Sequence, residues 1–119
     1  MKIRIKGNSL RYRLTKSDVD KFMKNGYIEE ITDFGAQRLT YALQQNRLNN
    51  LSAVFEDNKI TLFMPATLAN KWELPDNVGV EYQDNGLFLL VEKDFKCLDN
   101  VAEDQSDNYP NPLAKTFSN

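Results

Sequence analysis

A chain of 119 residues, 41% hydrophobic and 27% charged, has the length of one domain and the composition of a folded protein rather than a disordered one. Histidine is absent, which removes the commonest general base near neutral pH, His-based metal sites and every Ser-His or Cys-His nucleophile pair, and the lone Cys97 cannot close an internal disulfide. Net charge is only -2 and the isoelectric point about 5.1, so there is no overall basic footprint for nucleic acid.

The charge is nonetheless unevenly spread. Residues 1 to 16 carry Lys2, Arg4, Lys6, Arg11, Arg13 and Lys16 and no acid, whereas Asp99, Glu103, Asp104 and Asp107 dominate the C-terminal end. The N-terminal MKIRIKGNSLRYRL contains no continuous apolar stretch, and the run Leu87 to Val91 is far shorter than a membrane span. A cytoplasmic, non-membrane protein is expected, and the unpaired cysteine fits a reducing compartment.

In chain order, KIRIK and SLRYRL alternate with period two around Gly7-Asn8, which suits a two-residue hairpin turn. Thr15 with Asp18 three residues on opens a helix over about 16–25, with Val19, Phe22 and Met23 on one side and Gly26 as its stop. Tyr27 to Thr32 and Gln37 to Gln44 form a second hairpin around Asp33-Phe34-Gly35. A third pairs Leu51 to Glu56 with Lys59 to Met64 across Asp57-Asn58, matching Phe55 with Ile60, Ala53 with Leu62 and Glu56 with Lys59. Pro65 opens a second helix, whose stripe of Met64, Leu68 and Trp72 reads as core packing, and Leu74-Pro75 ends it. A fourth hairpin joins Val78 to Gln83 with Leu87 to Glu92 through Asp84-Asn85-Gly86, and its second strand, apolar on both faces, should be central. Residues 1–98 form one domain in this reading and 99–119 an acidic, proline-interrupted tail or strap that Tyr109 and Phe117 could pin down. No internal repeat stands out.

The turn at Gly7-Asn8 sets the register of the first hairpin. It places Ile5 opposite Leu10 and Ile3 opposite Tyr12 on one face, and Arg4 opposite Arg11 and Lys2 opposite Arg13 on the other. Like charges directly across a strand pair cost a few tenths to about 1 kcal/mol each unless something neutralises them. Three sources of relief are available: solvent and salt, the chain's own acids (the C-terminal segment, or Glu81 and Glu92), or a bound phosphate-containing anion held by Lys2, Arg4, Arg11 and Arg13, joined by Arg38 if its strand lies adjacent.

Other chemistries have weaker footing. Neither an RNP-like aromatic motif nor a helix-turn-helix spacing supports nucleic acid as partner. Cys97 has no partner base, and the acids at 99, 103, 104 and 107 lack the spacing and glycine of a calcium loop. Gly7, Gly26, Gly35 and Gly86 are explained by turns without a phosphate-cradling loop. No catalytic residue, metal ligand or cofactor is assigned; a carboxylate-dependent phosphohydrolase would have to rest on Glu81 or Glu92.

The segments MKIRIKGNSLRYRLTKSDV, FGAQRLTYAL, LFLLVEKDFKCLD and EDQSDNYPNP together resemble a family of bacterial proteins of about this length that is classed only as a domain of unknown function. The resemblance covers nearly the whole chain and implies that the acidic C-terminus belongs to the folded unit. Architecturally, four hairpins with two helices are similar to the triphosphate-tunnel barrels, although Lys2, Arg4 and Lys6 stand where that family carries metal-holding glutamates. The expected fold is therefore α+β, a strongly bent antiparallel sheet or eight-stranded barrel with two short covering helices. The expected function is non-catalytic binding of a small phosphate-containing anion. An interaction or scaffold module neutralised by its own tail is the alternative.

Overall fold

The computed structural model describes residues 1–74, 77–95 and 107–110. Strand β1 (Lys2–Ile5) returns as β2 (Ser9–Leu14) through Gly7 at φ 53°, and reciprocal backbone bonds between Lys6 and Ser9 close the turn. The register is the one the turn demands, with Arg4 facing Arg11 and Lys2 facing Arg13. Helix α1 (Lys16–Asn25) starts on a capping box: the Thr15 hydroxyl accepts from the Asp18 amide while the Asp18 carboxylate accepts from the Thr15 amide. It ends on Gly26 in the left-handed region, whose N–H reaches the Phe22 carbonyl, and it buries Val19 and Phe22.

Strands β3 (Tyr27–Asp33) and β4 (Arg38–Asn46) form the second hairpin, and β5 (Ser52–Glu56) and β6 (Lys59–Pro65) the third, in the expected pairing of Phe55 with Ile60, Ala53 with Leu62 and Glu56 with Lys59. Asp57 and Asn58 both adopt positive φ, as a tight turn with the right twist requires. Helix α2 (Ala66–Asn70) is only five residues and tightens into a 3-10 turn over Lys71–Glu73, which carries Trp72 into the core. The last hairpin, β7 (Gly79–Asp84) and β8 (Leu87–Lys93), turns on Asn85-Gly86.

The expected barrel and the strongly bent single sheet are both corrected. The strands divide into two four-stranded sheets, β1-β2-β8-β7 and β3-β4-β6-β5, and neither sheet closes. The hairpins are antiparallel internally, but they join one another by parallel pairing, β2 beside β8 and β4 beside β6. Both sheets are therefore mixed. Edge strands β1, β7, β3 and β5 keep one side unpaired, and a barrel would need those sides bonded to each other. The likeness to triphosphate-tunnel barrels loses its architectural basis with that closure. Strand periodicity says which face of a hairpin is buried, not which hairpin will lie beside it.

The inner faces of the two sheets and the two helices share one core, which includes Tyr12, Leu14, Phe22, Leu43, Leu62, Met64, Trp72, Leu89 and Val91. Tyr12 spans the sheets. Its ring meets Tyr41 edge to face at 6.0 Å between centroids, and its hydroxyl donates to the Ile60 carbonyl at 3.3 Å. Burial pushes the Tyr12 phenol well above its usual pKa. As expected, β8 is central in its sheet.

The two halves of the chain repeat one plan. Elements β1-β2-α1-β3-β4 and β5-β6-α2-β7-β8 follow the same order, and exchanging the halves turns one sheet into the other. The parallel pairings agree in register: Tyr12 beside Val91 corresponds to Leu62 beside Leu43, and Leu10 beside Leu89 to Ile60 beside Tyr41. Phe22 corresponds likewise to Trp72, both fully buried, and the turn Gly7-Asn8 to Asp57-Asn58. Each sheet holds one hairpin from each half, so neither half can complete a sheet by itself.

Of the C-terminal segment, residues 107–110 lie against the body. The Asp107 carbonyl accepts from the Lys16 amide at 3.1 Å, Tyr109 donates its backbone N–H to the Asp94 carbonyl, and Phe95 pairs with Tyr109 as an isolated bridge, their rings tilted by 59° at 5.9 Å between centroids. Cys97, Asp99, Glu103, Asp104, Phe117 and the expected domain boundary at residues 98 and 99 lie outside the described residues. No helix among the described residues is long and apolar enough to cross a membrane.

Candidate anion site on the first hairpin

Alternation along β1 and β2 sends Ile3, Ile5, Leu10, Tyr12 and Leu14 toward the second sheet and leaves Lys2, Arg4, Arg11 and Arg13 on the outer face. On that face the neighbouring β8 places Leu90 beside Arg11 and Glu92 beside Arg13. The Glu92 carboxylate sits 2.8 Å from Arg13 Nε and 3.6 Å from Arg11 Nε. One acid thus serves two guanidinium groups. Lys2 Nζ lies 3.3 Å from Asp94 Oδ2 at the far end of the strip.

Arg4 and Lys6 have no acidic partner among the described residues. They border a hollow of about 280 Å³ completed by Ser9, Leu10, Arg11 and Phe88. A second hollow of about 180 Å³ adjoins it, lined by Lys2, Ile3, Arg4, Arg11 and Arg13, so Arg4 and Arg11 stand between the two. Such a group of donors with too few local carboxylates suits an oxyanion, for which guanidinium offers paired N–H groups.

The structure brings together four of the five residues expected from sequence. Arg38 does not join them: its strand β4 lies in the other sheet between β3 and β6, and its Nε is 3.4 Å from Asp33. Lys6 and Ser9 were missed because they flank the turn beyond the last counted pair, although simple alternation already puts Lys6 on the side of Lys2 and Arg4. Glu81 shares this outer face, opposite Leu90, and is exposed.

The tail acid that is described goes elsewhere. Asp107 accepts hydrogen bonds from the Ser17 hydroxyl and backbone amide at the start of α1, and the Ser17 hydroxyl above all holds its carboxyl below the ordinary range. Lys93 is buried beneath Tyr109, with its Nζ 5.0 Å from that ring and donating to the Leu74 carbonyl, and burial lowers its pKa.

The sister half supplies an internal control. In the repeated plan Arg4 corresponds to Val54, Lys6 to Glu56, Ser9 to Lys59, Arg11 to Thr61 and Arg13 to Phe63. Those counterparts line a hollow of their own, of about 390 Å³, bordered by Val54, Glu56, Asp57, Lys59, Thr61 and Phe63. The same scaffold position is strongly basic in one half and mainly acidic and apolar in the other.

A family of unknown function, DUF7009, matches residues 1–113. The chain belongs to the DUF7009 family. The match takes in both sheets, the first hairpin and the strap at residues 107–110, so the DUF7009 unit extends through the acidic C-terminal segment as far as residue 113. Neither a curated protein nor a solved structure matches the chain.

Proposed function

We propose that the protein is a non-catalytic binder of a small phosphate-containing anion, held on the first hairpin by Arg4, Lys6 and Arg11 with Lys2 and Arg13 flanking. The observation that carries this reading is the inequality of the two halves. The fold accepts Val54, Thr61 and Phe63 where the first hairpin has Arg4, Arg11 and Arg13. Packing and pairing therefore do not call for cations there, and facing arginines carry an electrostatic cost that a ligand would recover. Glu92 supports binding rather than hydrolysis, since its carboxylate is engaged by two guanidinium groups and is poorly placed to act as a base.

A second reading, an interaction module whose basic strip is satisfied by its own acids, draws on the same Glu92 contacts and on Asp94 beside Lys2. Melting in a chloride buffer with added orthophosphate or pyrophosphate separates the two. A hundredfold excess over the dissociation constant should stabilise the protein by about 2.7 kcal/mol. The Arg4→Glu/Arg11→Glu variant should show no such gain. No shift with either anion, or an equal shift in the charge-reversed variant, refutes the anion reading and leaves the interaction module.

A further inference from the structure

The open end of the space between the two sheets is an apolar groove of about 430 Å³, within the range of small-molecule sites. Its walls are matched pairs from the two halves: Ile5 with Phe55, Leu10 with Ile60, and Leu87 with Leu39. Ile5 and Phe55, at its mouth, are 58% and 68% exposed. Ser9 and Leu10 line this groove and the basic hollow alike, so the two meet at the start of β2, the groove on its inner side and the hollow on its outer side. The rims differ in charge. Arg4, Lys6 and Arg11 stand on the side of the first hairpin, while Glu56 and Asp57 outnumber Lys59 at the corresponding place on the third and leave it net negative.

We infer that the ligand is a single-chain amphiphilic anion, with its alkyl part in the intersheet groove and its phosphate-type head against Arg4, Lys6 and Arg11. This inference rests on the anion reading above and specifies its ligand class. Charge complementarity fixes the orientation: a negative head is drawn to the first hairpin and repelled by Glu56 and Asp57 at the other rim. Apolar burial supplies the affinity that solvated guanidinium groups alone would not, since an exposed ion pair contributes little.

Titration of the full chain with methyl, butyl, hexyl and octyl phosphate, each as monomer, tests this. Methyl phosphate should bind like orthophosphate. Each further buried methylene should tighten binding by roughly two- to fourfold until the groove is filled. Octanol, which has the tail without the charge, should bind more weakly than octyl phosphate. Phe55→Ser, at an exposed position on the groove wall, should remove a large part of the gain from methyl to octyl phosphate without adding charge at that rim, with Ile5→Ser as a second variant. Arg4→Glu/Arg11→Glu should weaken the whole series.

Equal binding of methyl and octyl phosphate overturns the groove assignment while leaving the anion reading intact. Binding of neither overturns both. Octyl phosphate binding that survives Arg4→Glu/Arg11→Glu, or binding to phosphatidate vesicles without binding of the monomers, also overturns it.

Discussion

Replacing Arg4 by valine, the residue at its counterpart position 54, should make the protein more stable and poorer at binding anions. Arg4 faces Arg11 across an antiparallel pair, and Glu92, the one acid ion-paired with Arg11 among the described residues, lies closer to Arg13. Like charges in that geometry cost a few tenths to about 1 kcal/mol, and valine adds a modest strand preference. At about 0.01 M salt the gain in unfolding free energy should be ~0.2–1 kcal/mol, a rise of a few degrees in melting temperature. At about 1 M salt, where the screening length falls to ~3 Å, most of the electrostatic part should vanish and only the strand preference remain. Urea unfolding followed by circular dichroism in phosphate-free buffer at the two salt concentrations gives the comparison. The anion-induced stabilisation should be reduced in the same variant. A variant less stable than the parent at low salt, or a gain that salt does not change, would show that Arg4 is structural and that the pair is not under repulsion.

Three further outcomes are expected. Thr15→Ala removes the capping box at α1 and should cost about 1 kcal/mol in denaturant unfolding, whereas Thr15→Ser should restore most of it. Tyr12→Phe deletes the hydroxyl bond to Ile60 and should cost about 1 kcal/mol at neutral pH. Because the folded-state pKa of Tyr12 is raised, its contribution is complete below about pH 10 and is lost as pH rises further, so the gap between parent and Tyr12→Phe should narrow above that point in pH-dependent melts. Asp107 has the opposite sign. Its carboxyl is depressed by Ser17, so the difference between parent and Asp107→Asn should be present above about pH 4 and disappear as the solution is acidified below it, read by melting or by proteolysis of the strap.

Local order was legible in the residues because its causes are local. A two-residue turn at Gly7-Asn8 admits one register, and that register alone puts Arg4 against Arg11; the same holds for Asp57-Asn58 and the pairing of Phe55 with Ile60. Thr15, Asp18 and Gly26 mark both ends of α1 because unsatisfied amides and carbonyls there need those groups. Whether Arg38 would join the strip was beyond such reasoning, since the answer depended on which hairpins become neighbours.

Sequence by itself therefore determined the hairpins, their registers and the basic face, all set by steric and hydrogen-bond rules acting over a few residues. Tertiary structure alone decided that the strands form two mixed sheets, that the halves interlock with inner strands parallel, and that the apolar groove opens beside Arg4 and Lys6. Those outcomes arise from burying hairpin faces supplied by distant parts of the chain, and alternation of apolar residues is the same whichever neighbour a hairpin takes.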